Sequence, residues 1–78
     1  MQSLEKRIES IVSEINTILK KDGAFIQFIR YESNNRTAVF KLLGTLEHDP
    51  MAMNTLRGGV EKIILNKINE VRRIEREN

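Results

Sequence analysis

Apolar residues recur every three to four positions from Leu4 to Leu19, and that period stops at Asp22-Gly23. Leu4, Ile8, Ile11, Val12, Ile15, Ile18 and Leu19 form one stripe, with Glu5, Lys6, Arg7, Glu9, Glu14, Lys20 and Lys21 between them. The spacing predicts an amphipathic helix over residues 4–21. Ser3 has the side chain of an N-cap. Lys20 and Lys21 suit the negative end of the helix dipole, and Gly23 accepts the left-handed conformation that closes a helix.

From Ala24 the pattern changes to one of period two. Ala24–Tyr31 is rich in aromatic and β-branched residues and reads as a strand. Glu32-Ser33-Asn34-Asn35-Arg36 is a polar turn, and Thr37–Leu43 is a second strand, so the pair predicts an antiparallel hairpin. Alternation puts Ile26 and Phe28 on one face of the first strand, and Ala38, Phe40 and Leu42 on one face of the second. Phe25, Ile29 and Tyr31 then point the other way, together with Val39 and Leu43. Two helices alone would leave that opposite apolar face uncovered.

Helical spacing returns after Gly44. Asp49 has the chemistry of an N-cap, and Pro50 suits the first helical position, where a missing N–H costs nothing. Met53, Leu56, Val60, Ile63, Ile64 and Ile68 then predict a helix over residues 51–68. Gly58-Gly59 inside it should cost about 1 kcal/mol each relative to alanine. Such a pair is best tolerated where the backbone lies close to a strand or a partner. Val71–Ile74 reads as a short third strand, and residues 75–78 as a frayed end. The order helix, strand, strand, helix, strand implies a two-layer α+β domain over residues 1–78, with two helices on one face of a three-stranded mixed sheet.

The segment Thr55-Leu56-Arg57-Gly58-Gly59-Val60-Glu61, preceded by Pro50, resembles the C-terminal domain of NifU, the small domain of the Nfu family of iron–sulfur cluster carriers. That family reads Cys-x-x-Cys-Pro and then Thr-Leu-Lys-Gly-Gly-Ile-Glu or close to it. Lys21-Asp22-Gly23 is similar to the family's Arg-Asp-Gly-Gly turn, with Ala24 for the second glycine. The resemblance spans almost the whole chain and implies the same α-β-β-α-β fold. It also implies work in or beside iron–sulfur cluster assembly, where the family binds iron in a cluster held by the thiolates of two subunits. Counting back from Pro50, Leu46 and Asp49 stand where the two cysteines would be.

The chain contains no cysteine at all. A disulfide, a thiolate nucleophile and a thiolate-ligated metal site are therefore excluded within it. Leu46 has no donor atom, and Asp49 offers one hard oxygen where iron–sulfur chemistry uses soft thiolates. No cofactor is expected to bind, and the plain role of Asp49 is a cap. Glu47-His48-Asp49 puts three ligand types in a row, but consecutive loop residues rarely converge on one ion, and His48 is the only histidine. No metal site is expected there, and no catalytic residue anywhere, since nothing pairs a nucleophile with a base. The chain is read as a non-enzyme.

What remains is contact. Met53 reads as core from its spacing, whereas Met51 reads as exposed and, with Leu46, as an apolar patch where the family keeps its cluster. Leu46, His48, Met51 and Arg57 are the candidate partner-binding residues. The expected occupants are protein partners, iron–sulfur assembly factors first, or a second copy in a homodimer. The alternative is a general protein-interaction or RNA-binding module that keeps only the scaffold, because the element order also resembles bacterial KH domains. Arg57, Lys62, Lys67, Arg72, Arg73 and Arg76 would be its basic set. The net charge is only +2, acidic residues are interleaved, and no Gly-x-x-Gly stands between two helices, all of which disfavour nucleic acid. No apolar run approaches a membrane span and residues 1–9 lack the apolar segment of a signal peptide, so the expected location is the cytoplasm.

Overall fold

The structure, a computed structural model, describes residues 2–78. Helix α1 (Leu4–Leu19) opens at Ser3, whose Oγ accepts from the backbone N–H of Lys6 at 3.2 Å. It tightens into one 3-10 turn, Lys20–Asp22, and stops at Gly23 with φ 73°. Strand β1 (Ala24–Glu32) and strand β2 (Thr37–Gly44) follow as the antiparallel hairpin. Helix α2 (Ala52–Gly58) and helix α3 (Val60–Lys67) lead to strand β3 (Arg73–Arg76), which lies parallel to β2 in the order β1-β2-β3. The α+β arrangement is the expected one. Ile8, Val12 and Ile15 from α1 meet Ile26, Phe40 and Leu42 from the sheet, and Leu56, Val60 and Ile64 complete the core. Among the described residues no helix is long and apolar enough to cross a membrane.

The hairpin departs from simple alternation at one residue. Phe28 pairs with Phe40, but Arg30 pairs with Val39, so Ile29 is an extra residue in β1. A bulge of this kind turns everything beyond it to the other face. Tyr31 therefore stands opposite Ala38 and packs against the core instead of away from it. Its hydroxyl donates to the carbonyl of Glu70. The outer face is correspondingly less apolar than alternation implies. Arg30 now lies on it and pairs with Glu32 and Glu77 at 2.9 and 2.8 Å, while Arg73 pairs with Glu75. Beside these long side chains Val39 is only 4% exposed, although no helix covers it.

The second helix is broken where one continuous helix was expected. Gly59, at φ −125° and ψ −72°, separates α2 from α3. Backbone bonds from Gly59 to Thr55 and from Ile63 to Gly59, both 3.1 Å, carry the register across the break. Ala52, Leu56, Val60, Ile64 and Ile68 consequently stay in one buried column at a spacing of four. Gly58 does not lie against a strand: a Cβ built there meets nothing within 4 Å. Gly58→Ala should accordingly raise stability by about 0.5–1 kcal/mol, seen as a higher urea midpoint at unchanged slope. A lower midpoint would mean that the break itself needs glycine.

The C-terminal strand begins two residues later than the pattern suggests. Val71 is buried but belongs to a turn, with its N–H donating to Ile68, and Ile74 is the strand residue that enters the core. The last two residues are not frayed. Glu77 N–H donates to Phe40, and the Asn78 amide accepts from Leu42 N–H at 3.0 Å and donates to Leu42 C=O at 2.8 Å. Asn78 thus continues the ladder on β2 with a side chain.

Candidate functional site

The loop from Thr45 to Met51 is wound from its own backbone: Glu47 N–H donates to Gly44 and Asp49 N–H to Leu46. That winding turns Leu46 inward. It is 8% exposed and belongs to the core, so it does not join Met51 in a surface patch as the sequence suggests. A carboxylate at this position would be buried without a partner. Leu46→Asp is expected to cost about 2–4 kcal/mol of folding free energy, measured in urea, whatever the chain binds. An unchanged midpoint would contradict the inward placement.

Asp49 does cap the chain ahead of the helix. Its Oδ1 accepts from Met51 N–H at 2.9 Å, and its carbonyl accepts from Ala52 N–H at 3.1 Å. Regular helix starts only at Ala52, so Pro50 sits in the capped turn before it rather than at its first position. The side chain of His48 is 91% exposed and stands 3.8 Å from the Glu47 carboxylate. Met51 is 56% exposed. Among the described residues no three His, Cys, Asp or Glu side chains gather in a group suited to a metal ion.

Arg57 has an internal task. Its Nη1 donates to Glu61 Oε2 and to the carbonyl of Ile74, both at 3.0 Å, and its Nη2 donates to Glu75 at 2.9 Å. Glu61 Oε2 also accepts from Ile74 N–H at 2.9 Å. The two side chains therefore take both backbone groups of Ile74 on the free edge of β3. This closes an edge that would otherwise present unpaired N–H and C=O groups. Arg57 is thus engaged within the molecule, with its side chain 32% exposed. Arg73 and Arg76 are also engaged, with Glu75 and with the carbonyl of Glu47.

The opposite edge is closed in the same manner. Asn16 on α1 donates to Ile26 C=O and accepts from Ile26 N–H, both at 2.8 Å. Asn16 lies outside every motif, and Glu61 is marked only as the last residue of the family-like segment. The legible signal for Asn16 was an amide one helical turn after Val12 in an apolar stripe. For Glu61 it was an acid four residues after Arg57, a spacing that pairs on a helix. Asn78 gave no signal.

Elsewhere the charges are loosely held at the surface. Contact with Arg7 keeps the Glu70 carboxyl below its ordinary value, Arg30 does the same for Glu32, and Glu77 and Glu32 raise Arg30. These carboxylates favour the fold above the ordinary carboxylate range and lose that effect as acid protonates them. Exposed pairs of this kind have small effects.

A family model described as NifU-like domain matches residues 8–75. No curated protein matches the chain.

Proposed function

The chain belongs to the NifU-like domain family, and from that premise we propose that it is a non-catalytic docking or accessory module of iron–sulfur cluster assembly that does not itself hold a cluster. Membership supports the association with cluster assembly. The observation that carries the finer reading is the pair of positions where the family's cysteines would stand. Leu46 is packed into the core without a donor atom, and Asp49 spends an oxygen on the Met51 N–H. A turn-capping carboxylate and a buried hydrocarbon do not fit a cluster that the family holds with soft thiolates. The same loop still delivers Met51 and His48 to the surface, which supports contact rather than coordination.

Immobilised chain should retain at least one purified component of such a system, whether cysteine desulfurase, scaffold or cluster-receiving apoprotein. No cluster should pass through the chain itself. Retention of RNA or of unrelated complexes alone would favour the general interaction or RNA-binding alternative.

A further inference from the structure

The broken helix turns two adjacent columns outward. Met51, Thr55, Gly59, Ile63 and Lys67 follow one another at a spacing of four, the first four joined by successive backbone hydrogen bonds of 3.0–3.1 Å. Asn54, Gly58, Lys62 and Asn66 form the next column, and every residue of both is exposed. Two of the molecule's exposed large hydrophobic residues lie here, Met51 at 56% and Ile63 at 40%. Between them the glycine pair leaves the helix backbone bare, with open space where a Gly58 side chain would be. The result is a mixed face: a bare glycine centre between Met51 and Ile63, bordered by Asn54, Thr55, Asn66 and two lysines.

Its charge is one-sided. The only acid on α2 and α3 is Glu61, and it is committed to Arg57 and Ile74. Lys62 and Lys67 form no ion pair among the described residues. A second copy docking through the same face would bring the same two columns, with lysines and no carboxylate. An acidic partner supplies what both columns lack.

We propose that this face of α2 and α3 docks an acidic amphipathic helix of a partner protein, with small residues over Gly58-Gly59 and carboxylates toward Lys62 and Lys67. Opposing helices approach closely where side chains are small, and apolar anchors at helical spacing seat such a segment. The inference rests on the docking reading of the domain. A stable cluster on the chain alone would remove that reading, whereas failure of the experiment below removes only this surface.

The probe is a synthetic helical peptide of about five turns, with Leu and Ala on one face and Glu on the other. Its counterpart carries Lys for every Glu. Titrated into isotopically labelled chain, the acidic peptide should shift the amide signals of Thr55, Gly58, Gly59 and Ile63. It should bind at least about tenfold more tightly than the basic one. Gly58→Gln fills the notch at an exposed helical position and should weaken binding by about tenfold or more while the unfolding midpoint is kept or raised. Equal binding of both peptides, shifts centred elsewhere, no shifts at millimolar peptide, or self-association of the chain through these residues would overturn the proposal. So would displacement of the same signals by single-stranded RNA where the acidic peptide gives none.

Discussion

Gly44→Ala should destabilise the domain by about 3–5 kcal/mol, a large share of the stability of a chain of this size. Two effects add. Gly44 sits at φ 65°, a conformation that costs an L-residue about 1–2 kcal/mol. A Cβ there would also come within 2.1 Å of the carbonyl oxygen of Gly23, a backbone atom held in place by Thr45 N–H at 3.0 Å. Nothing flexible stands in the way to be moved aside. Gly23→Ala is the matched comparison. Gly23 has φ 73°, but its Cβ would meet only the Thr45 methyl group at 3.4 Å. That change should cost only about 1–2 kcal/mol. Urea unfolding of the two variants separates the contributions, and equal midpoints would show that the close approach of the two glycines is not what the fold depends on.

Glu61→Ala should cost about 2–4 kcal/mol, because one substitution leaves an edge N–H without an acceptor and removes a carboxylate from Arg57. Ile74 N–H loses its acceptor on the edge of β3, and Arg57 loses one carboxylate while still held beside the Ile74 carbonyl. The side chain of Glu61 is only 17% exposed, so water replaces it poorly. Glu61→Gln keeps an oxygen that can accept from Ile74 N–H and should cost about half as much. Amide exchange at Ile74 adds a local readout: it should accelerate in Glu61→Ala beyond what the global loss of stability produces. A midpoint within about 0.5 kcal/mol of the parent would mean that the clamp on β3 is a surface ion pair of the ordinary weak kind.

The element order and the faces of α1 and β2 could be read from hydrophobic period alone, because burial of one face imposes that period directly. The glycine and serine positions that bound α1 were legible for the same local reason. What escaped the sequence was set by interactions between distant segments. The extra residue Ile29 has the composition of any strand residue, and only the register against Phe40 and Val39 reveals it. It moved Tyr31 to the core. The break at Gly59 was hidden because the buried column from Ala52 to Ile68 keeps a spacing of four on both sides of it. The shift of β3 followed from Val71 being used in a turn.

At the candidate site the structure shows where each residue singled out from the sequence stands. Asp49 caps the turn ahead of α2 rather than the first residue of the helix, and Met51 and His48 are exposed. Leu46 and Arg57 were read as contact residues from their chemistry, but one is core and the other is a clamp. Loop winding and the location of Ile74 decided both, and neither is visible in local pattern. The segment from Thr55 to Glu61 therefore divides its work. Leu56 and Val60 pack inward, Arg57 and Glu61 secure the sheet edge, and Thr55, Gly58 and Gly59 are left facing outward.

The central claim is that this member of the NifU-like family keeps the scaffold without the means to carry a cluster. Anaerobic reconstitution of the purified chain with ferrous iron and sulfide tests it most directly, with visible absorption recorded and bound iron counted after desalting. The account predicts no retained iron and no sulfur-to-iron charge-transfer band. A stable, stoichiometric cluster would contradict it, and would mean that Asp49, His48 or an added thiol supplies ligands where the buried Leu46 cannot.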